Sequence, residues 1–154
     1  MRLSAHFTLE EFTRSDTAER LHIDNTPTEE HVAHLRELVQ SILGPLRKAW
    51  GSAITISSGY RSPKLNAKIG GAKRSAHATG YAADLVPANG QIREFKAFVL
   101  QWLRSNPDIH FDQYIDERNT RGSEWVLIGC RYTDGSQRRQ YLKTTNGKVY
   151  SHIK

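Results

Sequence analysis

The chain is organised around residues 57–85, which read SSGYRSPKLNAKIGGAKRSAHATGYAADL. Small residues surround three side chains with strong chemistry: Arg61, His77 and Asp84. Six residues separate His77 from Asp84, within a Ser-x-His-x-x-Gly-x-Ala-x-Asp pattern that begins at Ser75. Zinc takes imidazole nitrogen and carboxylate oxygen as ligands, so this pattern contains half of a metal site. The alternative is an ordinary polar pair, because two ligands alone do not make a zinc site.

The residue pattern predicts the local structure of this stretch. A β-branched run over 53–57 predicts a strand, and Ser62-Pro63 predicts the start of a short helix that ends near Ile69. Residues 72–80 are expected to form a loop, and residues 81–86 a strand. Side chains alternate along a strand, so Ala82 and Asp84 should share one face.

Helices are predicted on both sides of the central stretch. Thr8 and Glu11 have the spacing of a capping box at the start of a short helix. A second box, with Thr26 as cap, Pro27 in the first turn and Glu29 as the reciprocal residue, should begin a longer one. Its apolar stripe runs to residue 46, with an interruption expected at 44–45 and an end at 50–51. A third helix, capped by residue 89, should carry apolar residues from 92 to 103.

The remainder of the chain predicts β structure, with strands over 111–115, 125–132, 140–143 and 148–153. Asn146-Gly147 is a hairpin turn signal between the last two of these strands. No internal repeat or linker divides the sequence. We therefore expect an α+β fold over residues 1–154, as a single domain with a small antiparallel sheet, two main helices and the metal site at the sheet edge.

Composition limits the classes of function. The chain has 154 residues, a net charge of +6 and one cysteine, Cys130, which excludes a disulfide framework and any multi-cysteine zinc site. The basic charge suits anionic partners such as cell-wall polymers. The sequence lacks a Lys/Arg run with interleaved aromatic residues, the pattern typical of nucleic-acid binding, so we do not expect a nucleic-acid partner. No signal peptide or membrane span is predicted, so we expect synthesis in the cytoplasm. Action at the cell wall would then need release, for example by phage lysis.

Short motifs along nearly the whole chain, taken together with the central stretch, form a pattern typical of one protein family. They are FTLEEF at 7–12, DNTP at 24–27, PLR at 45–47, SGYRS at 58–62, LN at 65–66, GG at 70–71, the Ser-x-His-x-x-Gly-x-Ala-x-Asp pattern at 75–84 and FDQ at 111–113. Together they resemble the M15 family of zinc D-Ala-D-Ala carboxypeptidases and peptidoglycan L,D-peptidases, which includes phage endolysins. The resemblance implies an M15 peptidase-like fold, a zinc cofactor and peptidoglycan stem peptides as substrates. We expect the protein to be a monomer.

The resemblance also implies roles for individual residues. His77 and Asp84 match the first two zinc ligands, Arg61 matches the arginine that binds substrate or stabilises the oxyanion, and Ser75 is expected to contact substrate. The family places a Glu or Asp three residues before a third ligand, a histidine in a late strand. In the matching segment, Glu124 occupies the position of the catalytic base and Leu127 occupies that of the histidine.

Leu127 is a departure from the family pattern, since leucine cannot ligate a metal. Catalytic zinc normally has three protein ligands and a water. His152, in the last predicted strand, and His110 could complete the set only if the fold brings either one to the site. Strand alternation places Cys130 on the face opposite to Leu127, which makes it a poor substitute.

Three functions are therefore compatible with the sequence. The first is a zinc peptidase that cleaves stem peptides by attack of a metal-activated water. The second is a non-catalytic module that binds cell-wall peptide or polymer with the same fold. The third is a structural or assembly protein, for example in a phage particle. Retention of Arg61, His77, Asp84 and Glu124 favours the first, and Leu127 favours the other two.

Overall fold

The computed structural model describes all 154 residues, in six α-helices and six strands. The helices are α1 Leu9–Thr13, α2 Asp16–Arg20, α3 Glu29–Leu38, α4 Gly44–Trp50, α5 Pro63–Lys68 and α6 Ile92–Ser105. The strands are β1 Ile54–Ser58, β2 Ala82–Pro87, β3 Gln113–Arg118, β4 Glu124–Gly129, β5 Gln140–Thr144 and β6 Ser151–His152. A π-helical turn, Val39–Leu43, joins α3 to α4, and a 3₁₀ turn, Ala76–Thr79, precedes β2.

The helix starts follow local hydrogen bonds. At α1 the Glu11 carboxylate accepts the Thr8 amide at 2.6 Å, which confirms the first capping box. The longer helix begins two residues later than predicted, because Thr28 and not Thr26 is the cap: its Oγ1 accepts the His31 amide at 3.1 Å. The Thr26 amide instead donates to Asp24.

The predicted interruption at residues 44–45 is a π turn between α3 and α4. The Gly44 amide donates to the Val39 carbonyl, five residues back, immediately before Pro45. Proline has no amide hydrogen, and the widened turn accommodates it in the first turn of α4 without ending the helical path. The predicted cap at α6 is also shifted. Asn89 accepts the Gln91 amide, and Gln91 is the residue that precedes the helix.

The six strands form one sheet in the order β1-β2-β4-β3-β5-β6. All neighbouring pairs are antiparallel except β3 and β5, which are parallel. The α+β class is confirmed, but the sheet is mixed and not antiparallel throughout. After the β3–β4 hairpin, residues 130–139 carry the chain to the other side of β3, and this crossover gives β5 the same direction as β3.

The two faces of the sheet have different roles. The helix face carries Ala83, Leu85, Val126 and Ile128, which belong to a cluster of 22 buried residues shared with α3, α4 and α6. The groove face carries the alternate side chains, including Asp84 and Leu127, and lines an open groove. No helix of the fold has the length and apolar character needed to cross a bilayer.

Candidate metal site and groove

A tight turn before β2 holds His77. The Ser75 hydroxyl caps the 3₁₀ turn by accepting the His77 amide at 3.2 Å. Gly80 ends the turn with φ +84°, where a Cβ would lie 2.6 Å from the His31 carbonyl oxygen of α3. Glycine therefore allows both the left-handed conformation and the close contact with α3. The His77 side chain is buried as a result.

The ring of His77 is fixed by a backbone carbonyl. Its Nδ1 lies 2.8 Å from the Gly59 oxygen, and a carbonyl can only accept, so Nδ1 carries the hydrogen. Its Nε2 faces Asp84 Oδ1 at 3.2 Å, and both of these buried atoms lack a hydrogen-bond partner. A neutral imidazole presents a lone pair at Nε2, towards a carboxylate. The two atoms therefore converge on one position, as two ligands of a metal ion do.

The spacing of this pair fits two ligands of a tetrahedral zinc ion. Zinc binds nitrogen and oxygen at roughly 2.0–2.2 Å, and two such ligands at a tetrahedral angle lie about 3.3 Å apart. A carbonyl bonded to the second ring nitrogen is also the usual way to orient a histidine ligand. No group of three or more His, Cys, Asp or Glu side chains is close enough together to hold a metal ion. The donors fit zinc, but they are one short of the usual three.

Leu127 lies where a third ligand would be expected. It pairs directly with Asp84 across β2 and β4, so the two side chains share the groove face. The Cβ atoms of such partners are about 4.5–5.5 Å apart. On its other side Leu127 pairs with Ile115, which in turn pairs with Leu142. An apolar row thus crosses the groove floor beside Asp84.

The alternative ligands from sequence are not brought to the pair. His152 pairs with Leu142 in β6, four strands from Asp84 in the sheet, which corresponds to about 19 Å at the usual strand spacing. His110 is exposed on the segment before β3. Cys130 is buried among the core residues of the helix face, as strand alternation predicted.

Arg61 belongs to the site. Its Nη2 lies 3.9 Å from Asp84 Oδ2, and its backbone amide donates to the His77 carbonyl. Ser58 Oγ and Asn66 Oδ1 accept from the guanidinium at 3.3 and 3.2 Å and fix its orientation. Burial lowers the pKa of Arg61, while the charge of Asp84 opposes this. Arg61 therefore places a positive charge in a fixed orientation next to the Asp84 carboxylate.

Glu124 lies on the opposite side of the sheet. Residues 124 and 127 are three apart, so in a regular strand their side chains point to different faces. Glu124 Oε1 accepts from Lys96 of α6 at 2.9 Å and lies 3.3 Å from Arg118. The hydrogen bond from Lys96 lowers the pKa of Glu124. A carboxylate in this position cannot take a proton from a water at His77 and Asp84.

Glu117 is the carboxylate that the structure adds to the groove face. It pairs with Trp125 across β3 and β4, and its Oε2 accepts from the Trp125 indole at 2.9 Å. Burial, followed by the charge of Asp84, raises the pKa of Glu117 to about 7, against the opposing effects of Trp125 and Arg61. A pKa near neutrality suits a general base or acid. The predicted strand ended at residue 115, so sequence alternation did not point to Glu117; the longer β3 and its pairing with β4 place this residue on the groove face.

Comparison with protein families identifies the family of the chain. A family model described as Peptidase M15 matches residues 5–110, which is more than half of the chain. The chain belongs to the M15 peptidase family. The matched residues include Arg61, His77 and Asp84, and they end before β3 and β4, which carry Glu117 and Leu127. No curated protein matches the chain.

The candidate site opens into a groove of about 400 Å³ on the groove face. His77, Ser75 and Leu127 line it beside the apolar row. Tyr150, from the segment between β5 and β6, lies on its rim; burial raises the pKa of its phenol, and the charges of Glu117 and Asp84 add to this. The groove therefore combines an apolar floor with the buried His77 at its lining.

Proposed function

We propose that this M15 chain is a metallopeptidase-type protein that binds peptidoglycan stem peptides and cleaves them, as a carboxypeptidase or endopeptidase, with zinc held by His77 and Asp84. The observation that carries the proposal is the unpartnered Nε2 and Oδ1 of this buried pair, 3.2 Å apart beside the groove. Bound zinc would supply a polarised substrate carbonyl and an acidic water. Since two side chains and not three hold it, we expect weak zinc affinity.

The other groups of the site have roles that follow from their positions. Arg61 offers positive charge to an oxygen that becomes negative during attack on a carbonyl. Glu117, with a pKa near 7, can accept a proton and return it to a leaving amine. The Trp125 indole, 2.9 Å from Oε2, holds that carboxyl in one orientation. Glu117 therefore takes the place of Glu124 as the proposed proton carrier.

A second candidate is a non-catalytic module that binds the same peptides, or anionic wall polymers. Leu127 favours it, because it extends the apolar row of Ile115 and Leu142 and removes the third ligand. The net charge of +6 suits an anionic cell-wall surface in either case. An endolysin released by phage lysis and a wall-binding protein both fit this description.

Zinc analysis of the wild type, Leu127→His and Leu127→Ala decides between these candidates. Each protein is purified without added zinc, and its zinc content, zinc affinity and release of D-Ala or cleavage of stem peptides are measured. We expect Leu127→His to bind zinc more than about 100-fold more tightly than wild type and to cleave faster, because the new imidazole adjoins Asp84. Leu127→Ala removes the leucine without adding a ligand and should resemble wild type.

The outcomes separate the candidates. Stoichiometric zinc and peptide cleavage in wild type would eliminate the non-catalytic candidate. The non-catalytic candidate would be established if wild type binds the peptide without cleaving it and Leu127→His gains cleavage. If neither protein binds zinc, the assignment of His77 and Asp84 as metal ligands is wrong.

A further inference from the structure

One end of the groove carries two arginines on a single aromatic ring. The guanidinium carbon of Arg138 lies 4.2 Å from the centroid of the Tyr132 ring, and that of Arg74 lies 5.1 Å from it. All three residues line the groove that also contains His77 and Leu127. The groove lining itself contains no Asp or Glu, although Asp84 and Glu117 lie on the same face of the sheet. We define this cluster as the arginine end of the groove.

The two guanidinium groups differ in their partners. Arg138 is held by the buried Asp112, with Nε to Oδ1 and Nη2 to Oδ2 both at 2.8 Å. Arg74 makes no side-chain hydrogen bond or ion pair. Asp134 lies near enough that Arg74 contributes to its lowered pKa, but Ser136 is the main cause and occupies Asp134 Oδ1. The N–H donors of the Arg74 guanidinium therefore remain free to bind a ligand, next to Arg138, whose guanidinium is held by Asp112.

Arg74 is also close to the metal-binding pair along the chain. Three residues span at most about 11 Å, so the Cα atoms of Arg74 and His77 are no further apart than that. An extended peptide covers about 3.3 Å per residue. Both residues also line the same groove, so a short extended peptide can reach from Arg74 to a peptide bond placed at His77 and Asp84. The apolar row from Leu127 to Leu142 lies along the same groove.

We infer that the arginine end is a subsite for a carboxylate of the peptide ligand, with Arg74 as the contacting residue and Tyr132 and Arg138 as its support. The inference rests on the proposed function, which makes the ligand a peptide. A guanidinium fork pairs with the two oxygens of a carboxylate and loses less entropy when an aromatic ring already orients it. The carboxylate is either the C-terminus of the peptide or an internal one, as in a γ-linked D-glutamate.

Paired peptides test the subsite by calorimetry. One pair is diacetyl-L-Lys-D-Ala-D-Ala as the free acid and as the C-terminal amide. The other is a C-terminally amidated acetyl-L-Ala-γ-D-Glu-L-Lys peptide with its α-carboxylate free or converted to the amide. We expect wild type to bind the acid of one pair about tenfold more tightly than its amide, and the pair that discriminates identifies the source of the carboxylate.

Two variants assign the preference to Arg74. Arg74→Gln should bind acid and amide equally, whereas Arg74→Lys, which keeps the charge without the fork, should retain part of the preference. Lys73→Gln is the matched control: it removes the same charge from an exposed neighbour that does not line the groove, and it should behave as wild type. Equal losses in Arg74→Gln and Lys73→Gln would overturn the subsite, since only net charge would then matter.

A smaller probe separates this inference from the proposed function. N-acetyl-D-alanine is titrated while the side-chain NMR signals of Arg74 are followed. If it shifts these signals but no peptide binds or is cleaved, the subsite stands and the proposed function fails. If it leaves the signals unchanged, and acids bind no better than amides, the subsite is wrong even where peptides are cleaved.

Discussion

The two faces of the sheet give two glutamates of neighbouring strands opposite properties. On the helix face, Glu124 is tied to Lys96 and Arg118, and the hydrogen bond from Lys96 lowers its pKa. On the groove face, burial and the charge of Asp84 raise the pKa of Glu117 to about 7. The residue type is the same, and only the direction of the side chain differs. Position along a strand is therefore not enough to assign a chemical role.

The largest expected difference between the faces is in catalysis. In the Leu127→His background, Glu117→Gln should lower kcat for stem-peptide cleavage by about 100-fold to 10,000-fold, because the amide cannot accept the proton. Glu124→Gln, the matched change on the helix face, should leave kcat nearly unchanged. Steady-state kinetics of the two variants provides the measurement. A large loss in Glu124→Gln with none in Glu117→Gln would reverse the assignment.

A second difference concerns the proposed metal binding, which we assign to the groove face. Asp84→Ala should remove zinc binding to below detection in wild type and lower it by more than about 100-fold in Leu127→His, because one of few ligands is lost. Asp108→Ala changes an exposed aspartate away from the groove and serves as the control. Competition with a zinc-sensitive dye gives the affinities. Unchanged affinity in Asp84→Ala would remove this residue from the ligand set.

The smallest expected effect is on stability as a function of pH. The pKa of Glu117 is about 7 in the folded protein, above its ordinary value of 4.5, so between these values the folded state holds a proton that the unfolded chain has released. Stability should therefore fall as pH rises through this window, by at most about 3 kcal/mol from this group. Glu117→Gln should lack that contribution.

Urea unfolding with a chelator present, from pH 4.5 to 8, measures this effect without a contribution from metal. The difference in unfolding free energy between wild type and Glu117→Gln isolates the carboxyl from the other titrating groups. Parallel stability curves for the two proteins would mean that Glu117 has an ordinary pKa.

Strand alternation explains both a successful prediction and a misplaced one in β4. Applied to Cys130 and Leu127, it predicted opposite faces, and Cys130 does lie in the core of the helix face. The same rule applies to Glu124 and Leu127, which are three residues apart, and it excludes Glu124 from the groove. The family pattern assigned Glu124 by spacing alone, so the local physics of the strand is the better guide here.

Helix starts show a similar limit. Thr26 and Thr28 both precede the long helix, and the hydroxyl of either residue type can cap a helix. Thr28 is selected because its hydroxyl meets the His31 amide, while an Asp24 carboxylate accepts the Thr26 amide. When several polar side chains near a helix start can accept the same backbone amides, the sequence does not determine the first residue of the helix.

The sequence by itself determined the half of the site that is local: Arg61, His77 and Asp84 lie within 24 residues, and turns, caps and a single strand place them. Only the tertiary structure placed Leu127 beside Asp84, Glu117 on the groove face, and Arg74 with Arg138 on Tyr132. The physical reason is strand register. Shifting a strand by one residue exchanges its two faces, and pairing between distant strands fixes that register. The pattern of residues 57–85 therefore determined the buried His77–Asp84 pair, and the pairing of β2, β3 and β4 decided which side chains lie next to it.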